Sequence, residues 1–115
     1  MKNETTLTVT VEIDGIEYTG DFTFRRLKVI DYAEIESIKS MLLKGMPSVD
    51  AALSNVTNMV SELKVATKAS PEWWDIDNLY DVQALKTVYD KYVNWADTFF
   101  RKSGKEVKTP KETIA

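Results

Sequence analysis

The acidic segment SPEWWDIDNLYD holds the residues whose types and spacing come closest to a chemical site. Asp75, Asp77 and Asp81 offer the oxygen ligands that Ca²⁺ prefers in proteins. A calcium loop of the EF-hand type also needs a glycine at its sixth position and a carboxylate at its twelfth. Counted from Asp75, those positions hold Tyr80 and Lys86. We therefore expect no metal here, and we interpret Asp77 or Asp81 as a helix cap.

The side chains that most enzymes use are missing from this chain. It contains no histidine and no cysteine, which removes the commonest general base, thiolate chemistry and disulfides. The serines have no histidine to activate them, and four scattered glycines do not form a phosphate-binding loop. We therefore expect a protein that is not an enzyme and that uses no cofactor.

Length and composition indicate one globular domain. The chain has 115 residues, of which 43% are hydrophobic and 29% charged. A net charge of −3 argues against nucleic acid as a partner. No apolar run approaches the length of a membrane span, and the N-terminus lacks the apolar stretch of a signal peptide. We expect a domain over residues 1–103 and a flexible C-terminal tail over residues 104–115.

Residues 6–25 predict a β-hairpin. Apolar and polar residues alternate on both sides of Asp14-Gly15, a pair typical of a type I′ turn. A two-residue turn determines the register, so one face should be apolar except for a gap at Gly20. The predicted pairs on that face are Ile13 with Ile16, Val11 with Tyr18, Val9 with Gly20, and Leu7 with Phe22. The other face sets Glu12 opposite Glu17, which is typical of a solvated or partner-facing surface.

The two edges of such a hairpin lack hydrogen-bonding partners. Unpaired edges favour the addition of another strand. We therefore predict either self-association into a homo-oligomer or the capture of a partner, through residues 6–10 or through residues 19–23.

Helical spacing of apolar residues predicts three helices, over about residues 31–45, 48–69 and 71–102. Asp31, with Glu34 completing a capping box, and Ser48 should cap the first two helices, and Gly104 should end the third. The core is expected to include Leu85, Tyr89, Tyr92 and Phe99. The predicted fold class is α+β, an N-terminal β-hairpin followed by a three- to four-helix bundle.

The tryptophan doublet begins the third predicted helix. Ser70 suits the N-cap and Pro71 the first helical position. Successive side chains on a helix point about 100° apart, so Trp73 and Trp74 cannot both enter one seam. We favour Trp74 as the core residue and Trp73 as the one that meets a partner. The alternative, that the hairpin and helices bury both, stays open.

A protein-binding surface is the function class that the remaining composition favours. Tyrosine, tryptophan, phenylalanine and methionine together make up sixteen residues, and these types are enriched at interfaces as well as in cores. Carboxylates beside a tryptophan anchor would form a polar rim and attract a basic partner segment. The candidate partner-binding residues are Trp73, Trp74, Asp75, Asp77, Tyr80 and Trp95.

A family resemblance covers most of residues 7–100. The run DGIEYTGDFTFRRLKVIDYAEI, followed by PEWW, Y-x-x-Y-x-x-W and FF, resembles the small tail assembly chaperones of long-tailed phages. The resemblance implies a non-enzymatic chaperone in the host cytoplasm. It would bind the tape-measure protein, help to recruit tail-tube subunits and leave before the virion is finished. It also implies a longer frameshifted product, which could join after Gly104.

Two other readings remain beside this resemblance. One is a structural phage protein retained in the neck, tail or baseplate, which would be found in purified particles. The other is a bacterial protein–protein adaptor domain. A neighbouring gene for a very long helical protein would favour the chaperone.

Overall fold

The computed structural model describes residues 3–46 and 50–107, with only the backbone described from residue 100 onward. The fold is α+β, and within these residues a three-stranded antiparallel sheet is combined with three α-helices. The α+β class is therefore as predicted, but the predicted three- to four-helix bundle is not confirmed. The elements are β1 (Glu4–Ile13), β2 (Ile16–Arg25), α1 (Asp31–Leu43), α2 (Ala51–Ala66), β3 (Thr67–Ala69), a 3₁₀ turn (Ile76–Asn78) and α3 (Val82–Val107).

The β1–β2 hairpin has the predicted register. Ile13 faces Ile16, and every pair predicted on the apolar face is present down to Leu7 with Phe22. The turn residues Asp14 and Gly15 have φ angles of 54° and 81°. Positive φ at both positions is what a type I′ turn requires, and this turn matches the twist of the strands.

The third strand was not predicted. We expected the second helix to reach residue 69, but α2 ends at Ala66 and the chain becomes extended at Thr67. Thr67 then pairs with Phe24, and Ala69 pairs with Thr23, across an irregular register. The open edge of β2 supplies backbone hydrogen bonds to this segment, so tertiary pairing overrides the local helical preference.

The first two helices are capped differently from the prediction. The N-cap of α1 is Ile30, without a side-chain cap, and Asp31 is already inside the helix. Asp50 caps α2 by accepting a hydrogen bond from the Leu53 N–H at 2.8 Å. Ser48, the predicted cap, lies outside the described residues.

Asp31 instead joins α1 to the sheet. Its carboxylate accepts hydrogen bonds from the Arg25 guanidinium at 2.8 and 3.2 Å and from the Lys28 N–H at 2.6 Å. These bonds, that from Arg25 first, lower the pKa of the Asp31 carboxyl. Because the carboxylate points back to Arg25 at the end of β2, it does not cap its own helix and the predicted box with Glu34 does not form.

The third helix starts later and ends later than predicted. Residues 71–81 form a turn and a 3₁₀ turn, and α3 begins at Val82. Asp81 accepts a hydrogen bond from the Gln83 N–H at 2.9 Å, as expected of a capping residue. The helix then continues past Gly104 to Val107, so Gly104 does not end it and the predicted tail is helical over residues 104–107. The rest of the tail lies outside the described residues.

The core lies between the apolar face of the hairpin, the end of α2 and the first half of α3. Its buried members are Val9, Val11, Phe22, Phe24, Leu63, Ala66, Ala84, Leu85, Val88 and Tyr92. Of the four core residues predicted on α3, Leu85, Tyr92 and Phe99 are buried, whereas Tyr89 is half-buried. Tyr89 donates a hydrogen bond to Glu62 of α2 at 2.9 Å. Burial, followed by the Glu62 charge, raises the pKa of the Tyr89 hydroxyl.

Candidate functional site

The gap at Gly20 is where the SPEWW segment docks on the hairpin. A Cβ atom at Gly20 would lie 2.4 Å from Cγ of Pro71 and 3.2 Å from Nε1 of Trp73. Glycine is therefore needed at this position because the proline ring occupies the space that any side chain would take. The interruption in the apolar face of the hairpin thus has a packing partner in the chain itself.

Both tryptophans pack against the same phenylalanine. The ring centroid of Phe22 lies 5.9 Å from that of Trp73 and 5.3 Å from that of Trp74. Trp73 also contacts Tyr18 at 5.3 Å, and the two indoles stand perpendicular at 6.3 Å. Edge-to-face contacts at these distances are favourable for aromatic pairs.

The predicted division between a core tryptophan and a partner-facing one is therefore not observed. Trp73 and Trp74 are both half-buried. Two neighbouring side chains on a helix could not reach one ring together, and the segment is a single turn, closed by the Trp74 N–H and the Pro71 carbonyl at 3.0 Å. The two side chains differ in what lies on their other side, because Trp73 covers Gly20 while Trp74 borders a groove.

This groove, which we call the Trp74 groove, runs between α1, α2 and the loop before α3. It has a volume of about 510 Å³. Ile38 of α1 and Leu63 of α2 form its apolar walls together with Trp74 and Ile76. Its other lining residues are Glu34, Lys64, Thr67, Ser70, Asp75 and Asp77.

Two of the three acids that line the Trp74 groove, Asp75 and Asp77, have partners within the protein. Asp77 forms an ion pair with Lys64 at 2.7 Å. Asp75 accepts hydrogen bonds from the Asp77 N–H at 3.3 Å and from Nδ2 of Asn78 at 2.7 Å. Asp75 therefore shapes the turn, which places Trp74, and Asp77 is partly neutralised. Glu34, on the exposed side of α1, was not among the predicted site residues.

Of the six predicted site residues, the structure brings Trp74, Asp75 and Asp77 to this groove, with Trp73 immediately behind. Tyr80 is 95% exposed and lies beside the tip of the hairpin. Trp95 is half-buried on α3, where its ring packs against Tyr92 and Phe99. Neither Tyr80 nor Trp95 lines the Trp74 groove.

The helix α1 and the segments that flank it expose large apolar side chains that the sequence did not predict as a surface. Seven of the ten large hydrophobic side chains identified as exposed lie between residues 29 and 53. We call them the α1 apolar surface: Val29, Ile30, Tyr32, Met41, Leu42, Met46 and Leu53. Spacing of three and four residues identifies an apolar helix face, but it does not show whether anything covers that face.

Neither a cluster of metal ligands nor a membrane-spanning helix is found in the described part of the chain. Residues 3–46 and 50–107 contain no group of three acidic side chains arranged to hold a metal ion. Within the same ranges, no helix combines the length and the apolar character needed to cross a bilayer.

Comparison with protein-family models, with curated proteins and with solved structures gives no match for this chain. The function is therefore inferred from the geometry of the Trp74 groove, from the α1 apolar surface and from the resemblance to tail assembly chaperones.

Proposed function

We propose that this protein is a non-enzymatic tail assembly chaperone of the long-tailed phage type. In this role it binds an amphipathic helix of the tape-measure protein and helps to recruit tail-tube subunits in the host cytoplasm. The observation that carries the proposal is a groove with Trp74 and three aliphatic side chains among its lining residues, continued by exposed apolar side chains along α1.

The groove and the exposed side chains form one path. Ile38 lines the groove, and Met41 and Leu42 follow it on α1 at spacings of three and four residues. Residues at those spacings are neighbours on one side of a helix. Met41 is 73% exposed and Leu42 is 40% exposed. The apolar path therefore leaves the groove and continues on the surface of the protein.

An amphipathic helix is the partner that this surface suits. Helices dock into apolar grooves through anchors at spacings of three, four and seven residues, and tryptophan supplies a large contact area at the centre of such interfaces. Methionine side chains adapt to different partner surfaces, which suits a chaperone for a long client. Glu34 and Asp75 at the rim favour a client helix with lysine or arginine beside its apolar face.

The proposal predicts a neighbouring gene for a very long helical protein, and the test uses the product of that gene as the client. Its binding would be measured by titration calorimetry with wild type, Trp74→Ala and Trp95→Ala. Both substitutions remove a half-buried indole, but only Trp74 lines the groove. We expect Trp74→Ala to weaken binding by about 2 kcal/mol or more, roughly 30-fold, and Trp95→Ala to weaken it much less.

A second variant separates binding from folding. Met41→Lys changes an exposed side chain in the last turn of α1, where a cation is tolerated, so its thermal melt should match that of wild type while its client affinity falls. Unchanged client affinity in both Trp74→Ala and Met41→Lys would contradict the proposal. Recovery of the protein from purified particles would support the structural phage protein instead. If the genome has no long helical neighbour and belongs to no phage, the adaptor domain becomes the better explanation.

A further inference from the structure

The outer edge of β1 has no strand beside it within the described residues. β1 spans ten residues and pairs only with β2 in the sheet order β1-β2-β3. In a two-residue hairpin the residues flanking the turn, Ile13 and Ile16, form a hydrogen-bonded pair, and such pairs alternate along the ladder. The odd-numbered residues of β1 therefore bond to β2, and the backbone N–H and C=O groups of Thr6, Thr8, Thr10 and Glu12 point to the open edge.

A groove lies alongside the tip half of this edge. Glu12 and Asp14 of the hairpin form one side, and Gln83, Ala84 and Thr87 of α3 form the other. The groove, which we call the β1-edge groove, has a volume of about 630 Å³. A strand added to β1 at this point would therefore also lie against α3, so it would gain side-chain contacts as well as backbone hydrogen bonds.

The β1-edge groove is acidic and partly apolar. Glu12, Asp14 and Asp81 line it, and no lysine or arginine is among its lining residues in the described chain. Tyr80 and Val82 line it as well and are 95% and 50% exposed. This combination favours an extended segment in which apolar side chains alternate with lysine or arginine.

The charges argue against a second copy of the chain as the occupant. An antiparallel pairing of two β1 strands centred on Thr8 would oppose Glu4 of one copy to Glu12 of the other. Like charges directly opposed destabilise a strand pair, and the pairing would also bring the acidic groove of one copy towards that of the other. The opposite edge of the sheet is less available, because β3 already pairs with β2 at Thr23 and Phe24.

We propose that the outer edge of β1 accepts an extended basic segment of a partner protein as an added strand. The segment forms backbone hydrogen bonds to Thr8, Thr10 and Glu12, places its apolar side chains against Tyr80 and the α3 flank, and places its cations beside Glu12 and Asp14. This site is separate from the Trp74 groove. The proposal does not depend on the chaperone function, and either one can fail without the other.

The probe is a fluorescein-labelled ten-residue peptide in which valine alternates with lysine and threonine, and binding is followed by fluorescence anisotropy. Two control peptides accompany it, one with alternate backbone nitrogens methylated and one with glutamate in place of lysine. We expect the probe to bind the intact protein. Each control peptide should bind at least about tenfold more weakly, because methylation removes the strand hydrogen bonds and glutamate reverses the charge attraction.

Thr10→Pro and Thr19→Pro form the first matched pair of protein variants. These residues face each other in the hairpin, and either change removes the same hydroxyl hydrogen bond of 2.8 Å. Each lost N–H points away from the partner strand, but only that of Thr10 lies on the β1 edge. Thr10→Pro should lower probe affinity at least about tenfold, while Thr19→Pro should change it by less than about threefold.

Glu12→Lys and Glu17→Lys form the second pair of variants. They introduce no proline into a strand, so they test the same edge even if a proline variant does not fold. Both relieve the same opposition of like charges, but only Glu12 lines the groove. The larger loss of affinity should come from Glu12→Lys. Equal binding of the methylated peptide, or equal effects within both pairs of variants, would overturn the proposal. A dimer in light scattering that Thr10→Pro abolishes, without probe binding to wild type, would show that a second copy occupies the edge.

Discussion

Two regions of the molecule differ in the burial of their apolar side chains, namely the sheet packed with α3 and the helix α1. In the first region Val9, Phe22, Phe24 and Val88 are completely buried. In α1 the only large hydrophobic side chain that is fully buried is Ile35, and Met41 is 73% exposed. The fold is therefore stabilised mainly where the hairpin meets α3, and α1 carries apolar side chains that the described fold does not use.

The same contrast occurs within α2. Its first turn is exposed, including Leu53 at 38%, whereas Leu63 near its end is 1% exposed. The boundary between the core and the exposed apolar side chains thus runs across a helix that has one continuous apolar stripe. The lesson is that apolar periodicity predicts which side chains share a face, and the neighbouring elements decide which part of that face remains for a partner.

The largest expected effect is that of Leu85→Ala, which tests the core side of the contrast. Leu85 is buried in the cluster with Val88 and Phe24. Removing most of a buried leucine should lower the free energy of unfolding by about 2–5 kcal/mol. Chemical denaturation monitored by circular dichroism measures this change. A midpoint equal to that of wild type would remove Leu85 from the core.

Gly20→Val tests whether the tryptophan segment is part of the folded core. The new side chain would collide with the Pro71 ring, whose Cγ lies 2.4 Å from the added Cβ position. Displacing this segment should cost about 1–3 kcal/mol of unfolding free energy, as overpacking does in other cores. Tryptophan fluorescence should shift towards that of solvent-exposed indole. A stable variant with an unchanged spectrum would contradict the docking of Pro71 on Gly20. Thr19→Val, on the solvated face, serves as the control.

Asp31→Asn tests the link that joins the two regions. The variant should have a lower melting temperature at neutral pH, because the amide cannot replace the charged partner of Arg25. Since the folded-state pKa of Asp31 is lowered, its contribution is present above the unfolded pKa and is lost as the pH falls through the folded value. The difference in melting temperature between wild type and variant should therefore begin to shrink below about pH 4 and should vanish only when the pH is below the folded-state pKa of Asp31. A constant difference from pH 7 to pH 2 would show that the ion pair is not responsible.

Leu42→Ala should have the smallest effect and is the matched partner of Leu85→Ala. Leu42 is 40% exposed, so the same change of side chain should cost less than about 1 kcal/mol of unfolding free energy. Denaturation curves of the two leucine variants, measured side by side, compare the regions directly. If Leu42→Ala destabilises the protein as much as Leu85→Ala does, α1 belongs to the core and the contrast between the regions is wrong.

The sequence by itself determined the hairpin and most of the core on α3. A two-residue turn at Asp14-Gly15 permits one register, so every cross-strand pair could be predicted without knowledge of the rest of the chain. The positions of Leu85, Tyr92 and Phe99 follow in the same way from helical periodicity in the strongest apolar pattern of the chain. Turn geometry and helical periodicity both depend only on residues that are close together in the sequence, so they can be applied without knowledge of the tertiary structure.

Tertiary structure decided the features that depend on contacts between a segment and residues distant in the sequence. Thr67–Ala69 became a strand because the edge of β2 was open to it, and Asp31 left its cap position because Arg25 lay within reach. The helix predicted from residue 71 gave way to a turn, since a turn lets Trp73 and Trp74 both contact Phe22. Each outcome depends on contacts between residues far apart in the sequence, and their free energies outweigh local propensities of a few tenths of a kcal/mol per residue.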